Sequence, residues 1–115
     1  MALAPLQTLE VIEVIENFLE RKRPPEHIRS KLDYGYSIEE QSVLIFEIRP
    51  QWNKPEIIQE HPFAKAIFVK AKNHWKVFWM RADLKWYSYE PKPNVINIKA
   101  FTKLVEEDKY HCFFG

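Results

Sequence analysis

Leu32-Asp33-Tyr34-Gly35-Tyr36-Ser37-Ile38-Glu39, residues 32–39, is where the chain changes its hydrophobic period. Leu32, Tyr34, Tyr36 and Ile38 alternate with Asp33, Gly35, Ser37 and Glu39, which predicts a β-strand with one wet face. Upstream the spacing is helical. Between Leu9 and Lys22, the side chains of Val11, Ile12, Val14, Ile15, Phe18 and Leu19 fall on one side of a helix, and Glu10, Glu13, Glu16, Asn17 and Glu20 on the other. Thr8 is the expected N-cap, Arg21, Lys22 and Arg23 suit the C-terminal end of the dipole, and Pro24 stops the helix. Pro25 then opens a short second helix running to about Lys31.

Downstream of residue 39 the period of two persists. Ser42 to Arg49 reads as a second strand, ended by Pro50 and Pro55 because proline cannot donate to a sheet ladder. Gln51 to Pro62 is then the longest irregular connection and a candidate functional loop. Phe63–Ala71 and His74–Arg81 form a predicted hairpin with Lys72-Asn73 at its tip. A two-residue turn sets Arg81 opposite Ala64; a three-residue turn sets it opposite Lys65. Trp86 to Glu90 adds a short last strand. Asn97 caps a final helix with Ile98, Phe101, Leu104 and Val105 on its inner stripe, and Glu106, Glu107 and Asp108 oppose its dipole and predict fraying. The apolar tail Tyr110 to Gly115 is expected to tuck into the core.

The fold class is therefore α+β. An antiparallel sheet of four to five strands is expected with an N-terminal amphipathic helix, a short second helix and a C-terminal helix, as a single domain over residues 1–115. The 115 residues are 46% hydrophobic and 29% charged, which excludes a disordered polymer. No apolar run is long enough to span a membrane, so no membrane partner is expected. Cys112 is the one cysteine, and no signal-peptide pattern opens the chain, so a cytoplasmic location is expected. The net charge of +1 argues against a generic polyanion binder. It conceals blocks, however: residues 1–20 and 32–60 are acidic, while 21–31 and 61–86 are basic.

Catalytic machinery is missing from the pattern. Two glycines cannot build a phosphate or dinucleotide loop, and His27, His61, His74 and His111 lie far apart with no metal-ligand spacing. No catalytic residue, metal ligand or cofactor is assigned, and Cys112 reads as a small hydrophobe. The informative run is Trp75 to Trp86, which holds three of the four tryptophans. Bases stack on exposed aromatic rings and phosphates pair with Arg and Lys, so an open aromatic-basic sheet face suits a single-stranded nucleic acid or a protein. The binding candidates are Lys65, Trp79, Arg81, Lys85 and Trp86, with Glu47 and Asp83 orienting the cations. Arg49 joins Glu47 in placing charge within the apolar row of Val43 and Ile45, and the four groups Glu47, Arg49, Arg81 and Asp83 are expected to meet in one ion-pair network.

Two other readings stand beside this non-enzymatic binding module. The apolar tail or outer sheet can form a homodimer interface. Alternatively, Asp33 with Glu47-Ile48-Arg49 loosely matches the acidic-x-basic strand of metal-dependent nucleases, though Arg cannot serve as a titratable base.

Finally, Phe46-Glu47-Ile48-Arg49-Pro50-Gln51-Trp52, the run Trp79-Met80-Arg81-Ala82-Asp83-Leu84-Lys85-Trp86 and the terminal Cys112-Phe113-Phe114-Gly115 resemble a family of small bacterial proteins. That family is known as a domain of unknown function, numbered three thousand and twenty-four. The resemblance covers nearly the whole chain and implies a bacterial, cytoplasmic, single-domain protein. It brings no activity, cofactor or assigned site residue.

Overall fold

Pro5 opens the first helix, α1 (Pro5–Lys22), from the first helical turn, where a missing N–H is harmless. The structure is a computed structural model and describes residues 2–114. The helix thus begins one turn before the expected Thr8 cap. Thr8 lies inside it, and its hydroxyl donates to the Ala4 carbonyl at 3.0 Å. The expected second helix is reduced to one 3-10 turn, Glu26–Ile28.

Six strands follow: β1 (Asp33–Glu39), β2 (Ser42–Gln51), β3 (Lys54–Val69), β4 (His74–Met80), β5 (Trp86–Ser88) and β6 (Asn94–Val95). They pair antiparallel in the order β1-β2-β3-β4-β5, with β6 on the same edge of β4 as β5. The last helix, α2 (Ile98–Glu107), starts at Asn97, whose side chain accepts from the Ala100 N–H at 2.8 Å. The chain is α+β, as its period change implies.

Two sequence expectations are corrected. Residues 51–62 are not an irregular loop: β2 runs through Pro50, and β3 starts at Lys54, so the two strands form a long hairpin with Trp52-Asn53 at its tip. Prolines are accommodated because β1 ends opposite Ile48 and β4 ends opposite Ala64. Pro50, Pro55 and Pro62 therefore sit where a strand has a neighbour on one side only. The β3–β4 connection is four residues, Lys70 to Asn73, with Asn73 left-handed at φ 51°. This places Trp79, not Arg81, opposite Ala64.

A bulge in β3 sets the faces. Ile45 pairs with Ala64 but Phe46 pairs with Pro62, so Phe63 is an extra residue. Phe63 and Ala64 both turn into the core, and every residue before them changes face. One face of the sheet carries Val43, Ile45, Ala64, Ala66, Trp75 and Val77, all buried under Val11, Ile15, Phe18, Phe101 and Val105 of the two helices.

Phe113 and Phe114 of the C-terminal tail are tucked as expected, by a device that charge patterning did not suggest; Tyr110 and His111 stay exposed, and Gly115 lies outside the described residues. Asp108 is buried in the left-handed conformation at φ 41°, and its carboxylate accepts from the N–H groups of Phe113 and Phe114 at 3.0 and 2.8 Å. Instead of fraying α2, Asp108 closes it and seats Phe113 on Tyr89 and Phe114 against Tyr34 and Phe63. Asp108→Ala loses two charge-assisted hydrogen bonds and is expected to lower stability by about 2–3 kcal/mol in urea unfolding, with Asp108→Asn losing less.

The end of α1 is tied to β1 by Arg23, whose Nε and Nη2 donate to the two Asp33 carboxylate oxygens at 2.8 and 2.6 Å. Chiefly through this hydrogen bond, Arg23 holds the Asp33 carboxyl below its ordinary value. The pair's contribution is therefore present above the usual carboxylate range and disappears as pH falls through the depressed folded value. Unfolding midpoints measured against pH are expected to lose that acid-side slope in Asp33→Asn.

Candidate functional site

Among the described residues, no second layer covers the face of the sheet opposite the helices. In-and-out alternation from buried Val43 and Ile45 places Leu44, Phe46 and Ile48 of β2 on this outer face. The paired residues follow: Lys65 opposite Leu44, Pro62 opposite Phe46 and Glu60 opposite Ile48. Phe78 pairs with Lys65, and Trp86 with Met80, so β4 and β5 extend the same surface. Ile67 completes it beside Ser42. Leu44, Phe46, Ile48, Ile67, Phe78, Met80 and Trp86 are each half-buried, yet none belongs to the buried core or packs against it.

Gly35 makes this surface flat. A Cβ there would lie 2.7 Å from the Phe46 ring and 3.3 Å from Ile48 Cδ1. The glycine thus lets the Phe46 ring lie down across β1.

Lys65 stands in the middle. Its Nζ lies 4.7 Å from the centre of the Trp86 ring and 5.3 Å from that of Phe78. Desolvation by these apolar neighbours pushes its amine below the ordinary lysine value. Glu39 opposes the shift through space, but among the described residues no carboxylate reaches Lys65 as an ion pair.

The other predicted site residues lie elsewhere. Trp79 turns inward, half-buried against the core, opposite Ala64 and Tyr87. Trp75, its neighbour on that side, is sealed at 3% exposure. Arg81, at the end of β4, stacks its guanidinium on Trp79 and Tyr87, at 5.1 and 4.5 Å from the ring centres. Asp83 accepts from the Tyr87 hydroxyl at 2.5 Å and from the Lys85 N–H at 3.0 Å. Lys85 is exposed in the same turn. A cleft of about 490 Å³ beside this cluster is bordered by His61, Phe63, Met80 and Arg81.

The expected four-group network does not form. Glu47 accepts from Arg49 Nε at 2.9 Å, and this pair stays on the β2–β3 arm while Arg81 and Asp83 are occupied by aromatic partners. The nuclease arrangement also fails geometrically. Asp33 pairs across from Ile48 and Glu47 across from Tyr34, so the two carboxylates leave the sheet on opposite faces, each held by its own arginine. Among the described residues no cluster of three or more His, Cys, Asp or Glu side chains is placed to hold a metal ion. Cys112 is half-buried, and burial pushes its thiol up, away from a reactive thiolate.

Of the predicted residues, Lys65 and Trp86 are brought together on the outer face. Trp79, Arg81, Asp83 and Lys85 form a separate rim cluster, and Glu47 with Arg49 a third group. Missed by sequence reasoning were Leu44, Phe46, Ile48, Ile67, Phe78 and Met80 as a surface, and Trp52 at the arm tip, 92% exposed. The available signal was the unbroken apolar run Val43 to Phe46, which lacks a wet face.

The fold and this surface define a small α+β domain: an antiparallel sheet backed by helices on one face and open on the other. The chain belongs to the family described as Domain of unknown function (DUF3024), which matches residues 3–115. No curated protein and no solved structure matches it. No helix among the described residues is long and apolar enough to cross a membrane.

The Asp83–Tyr87 contact gives a measurable titration. By accepting the phenolic hydrogen bond, Asp83 raises the Tyr87 pKa above its ordinary value. The NMR titration of the Tyr87 ring is expected to move to lower pH in Asp83→Asn, where the acceptor charge is gone.

Proposed function

We propose that the chain is a non-enzymatic protein-binding module that docks its partner on the outer face of the sheet. The observation that carries this reading is the continuous apolar surface of Leu44, Phe46, Ile48, Ile67, Phe78, Met80 and Trp86, uncovered by either helix and surrounding one desolvated lysine. Contiguous apolar surface of this kind marks an interaction site more often than a bare protein exterior. Apolar interface centres are poor in charge, and Lys65 is the one cation at the middle of this one.

Charge favours a protein over a nucleic acid. Glu39 and Glu60 share the face with Lys65 and Lys76, which leaves no surplus of cations to follow a phosphate backbone. The aromatic-basic residues that would suit stacking, Trp79 and Arg81, are engaged with each other and with Tyr87 on the opposite side.

A photo-crosslinking amino acid in place of Phe78, activated in cells, is expected to yield discrete protein adducts. The purified protein is expected not to retain a single-stranded oligonucleotide at low salt. Salt-sensitive oligonucleotide binding, or a Phe78 position that crosslinks to no protein, would overturn the reading.

A further inference from the structure

We propose that the partner on the outer face is a second copy of the same chain, packed sheet to sheet about a two-fold axis that crosses the strands at Pro62 and Phe46. This rests on the reading of the outer face as a protein-docking surface, and it names the occupant. A two-fold interface must be complementary to itself: whatever residue i meets on the partner must meet i in return.

One axis on this surface gives such a match. Outer-face residues form successive rows across the sheet. Ile67 and Ser42 are followed by Lys65, Leu44 and Phe78, then by Pro62 and Phe46, then by Glu60 and Ile48, and last by Ile58 and Pro50. An axis along the Pro62–Phe46 row exchanges the rows on either side of it. Lys65 of each copy then lies over Glu60 of the other, Leu44 over Ile48, and Ile67 over Ile58. Phe46 meets its own counterpart at the centre. Leu44 and Ile67 each receive an aliphatic side chain, and the desolvated lysine receives a carboxylate on both sides of the axis.

An axis running along β3 instead would stack Lys65 on Lys65 and Glu60 on Glu60, which like-charge repulsion opposes. The self-match depends on the bulge. Without the extra residue Phe63, strict alternation from Lys65 would turn Glu60 inward and His61 outward, and no acid would be available. Neither Lys65 nor Glu60 is consumed by an ion pair among the described residues of its own chain. Ile58, 59% exposed on the arm, gains a cover from Ile67 of the other copy.

The test is a charge exchange read by sedimentation equilibrium. The wild-type protein is expected to run at twice the chain mass at micromolar concentration. Lys65→Glu and Glu60→Lys should each weaken association by roughly tenfold or more, and the double variant should recover it. Both positions are on the surface of the sheet, so thermal unfolding of a diluted sample verifies that the single variants remain folded. A wild-type monomer across the concentration range overturns the proposal. So does a dimer that neither single variant weakens, or one that the double variant fails to restore. A monomer that still gives protein adducts at position 78 removes the second copy and leaves the docking face; a monomer without adducts removes both.

Discussion

A sheet has two apolar-capable faces, and this chain has helices for one of them. Both α1 and α2 pack on the side of Val43, Ile45, Ala64 and Val77, which are fully buried. The opposite side of the same strands carries Leu44, Phe46, Phe78 and Met80, half-buried and outside the core cluster. Stable domains are built from packed layers, and a strand apolar on both faces belongs between two of them. Burying the remaining half of such a side chain is worth on the order of 1 kcal/mol. The outer face therefore holds a sizeable stabilisation that folding of the single chain leaves unrealised.

The bulge at Phe63 links that face to the core. By turning inward beside Ala64, Phe63 reaches Tyr34 and Phe114, whose ring centres lie 6.1 and 5.1 Å away. The same extra residue inverts the faces of β3 along the arm, so that Glu60 stands outward with Ile48. One residue thus completes the seat for the C-terminal tail and sets which charges the arm presents. Asp108 acts on the other end of the same seat by fixing the Phe113 and Phe114 amides. Core packing, tail docking and the chemistry of the exposed surface are coupled through this short stretch.

How far the sequence discloses this depends on range. The helix of Val11 to Leu19, the alternation of β1, the Asn97 cap and the inner stripe of α2 are local patterns, and each appears where its period puts it. The β2–β3 arm was obscured by Pro50, Pro55 and Pro62. Their cost depends on whether a neighbouring strand needs the missing N–H, and only the ends of β1 and β4 decide that. The faces of β3 were hidden for a related reason, since a bulge is a property of a pair of strands. Asp108 reads as an unfavourable charge at a helix C-terminus until the tail folds back to use it. Lys65 and Trp86 could be picked out as a cation and a ring, but their meeting depends on pairing across β3, β4 and β5.

The two aromatic-cation clusters differ in what they leave unsatisfied. At the rim, Arg81 lies over two rings and remains exposed to water, while Asp83 and Tyr87 satisfy each other. Nothing there asks for a further group. Lys65 also has two rings, but it is partly withdrawn from solvent and has no paired carboxylate among the described residues. A partly desolvated cation in an apolar surround is an unfavourable arrangement for an isolated chain, whatever its rings return. Covered by an apolar layer alone, it would become worse. A partner that brings an acid to the centre of this face is therefore favoured over one that covers it with apolar groups alone.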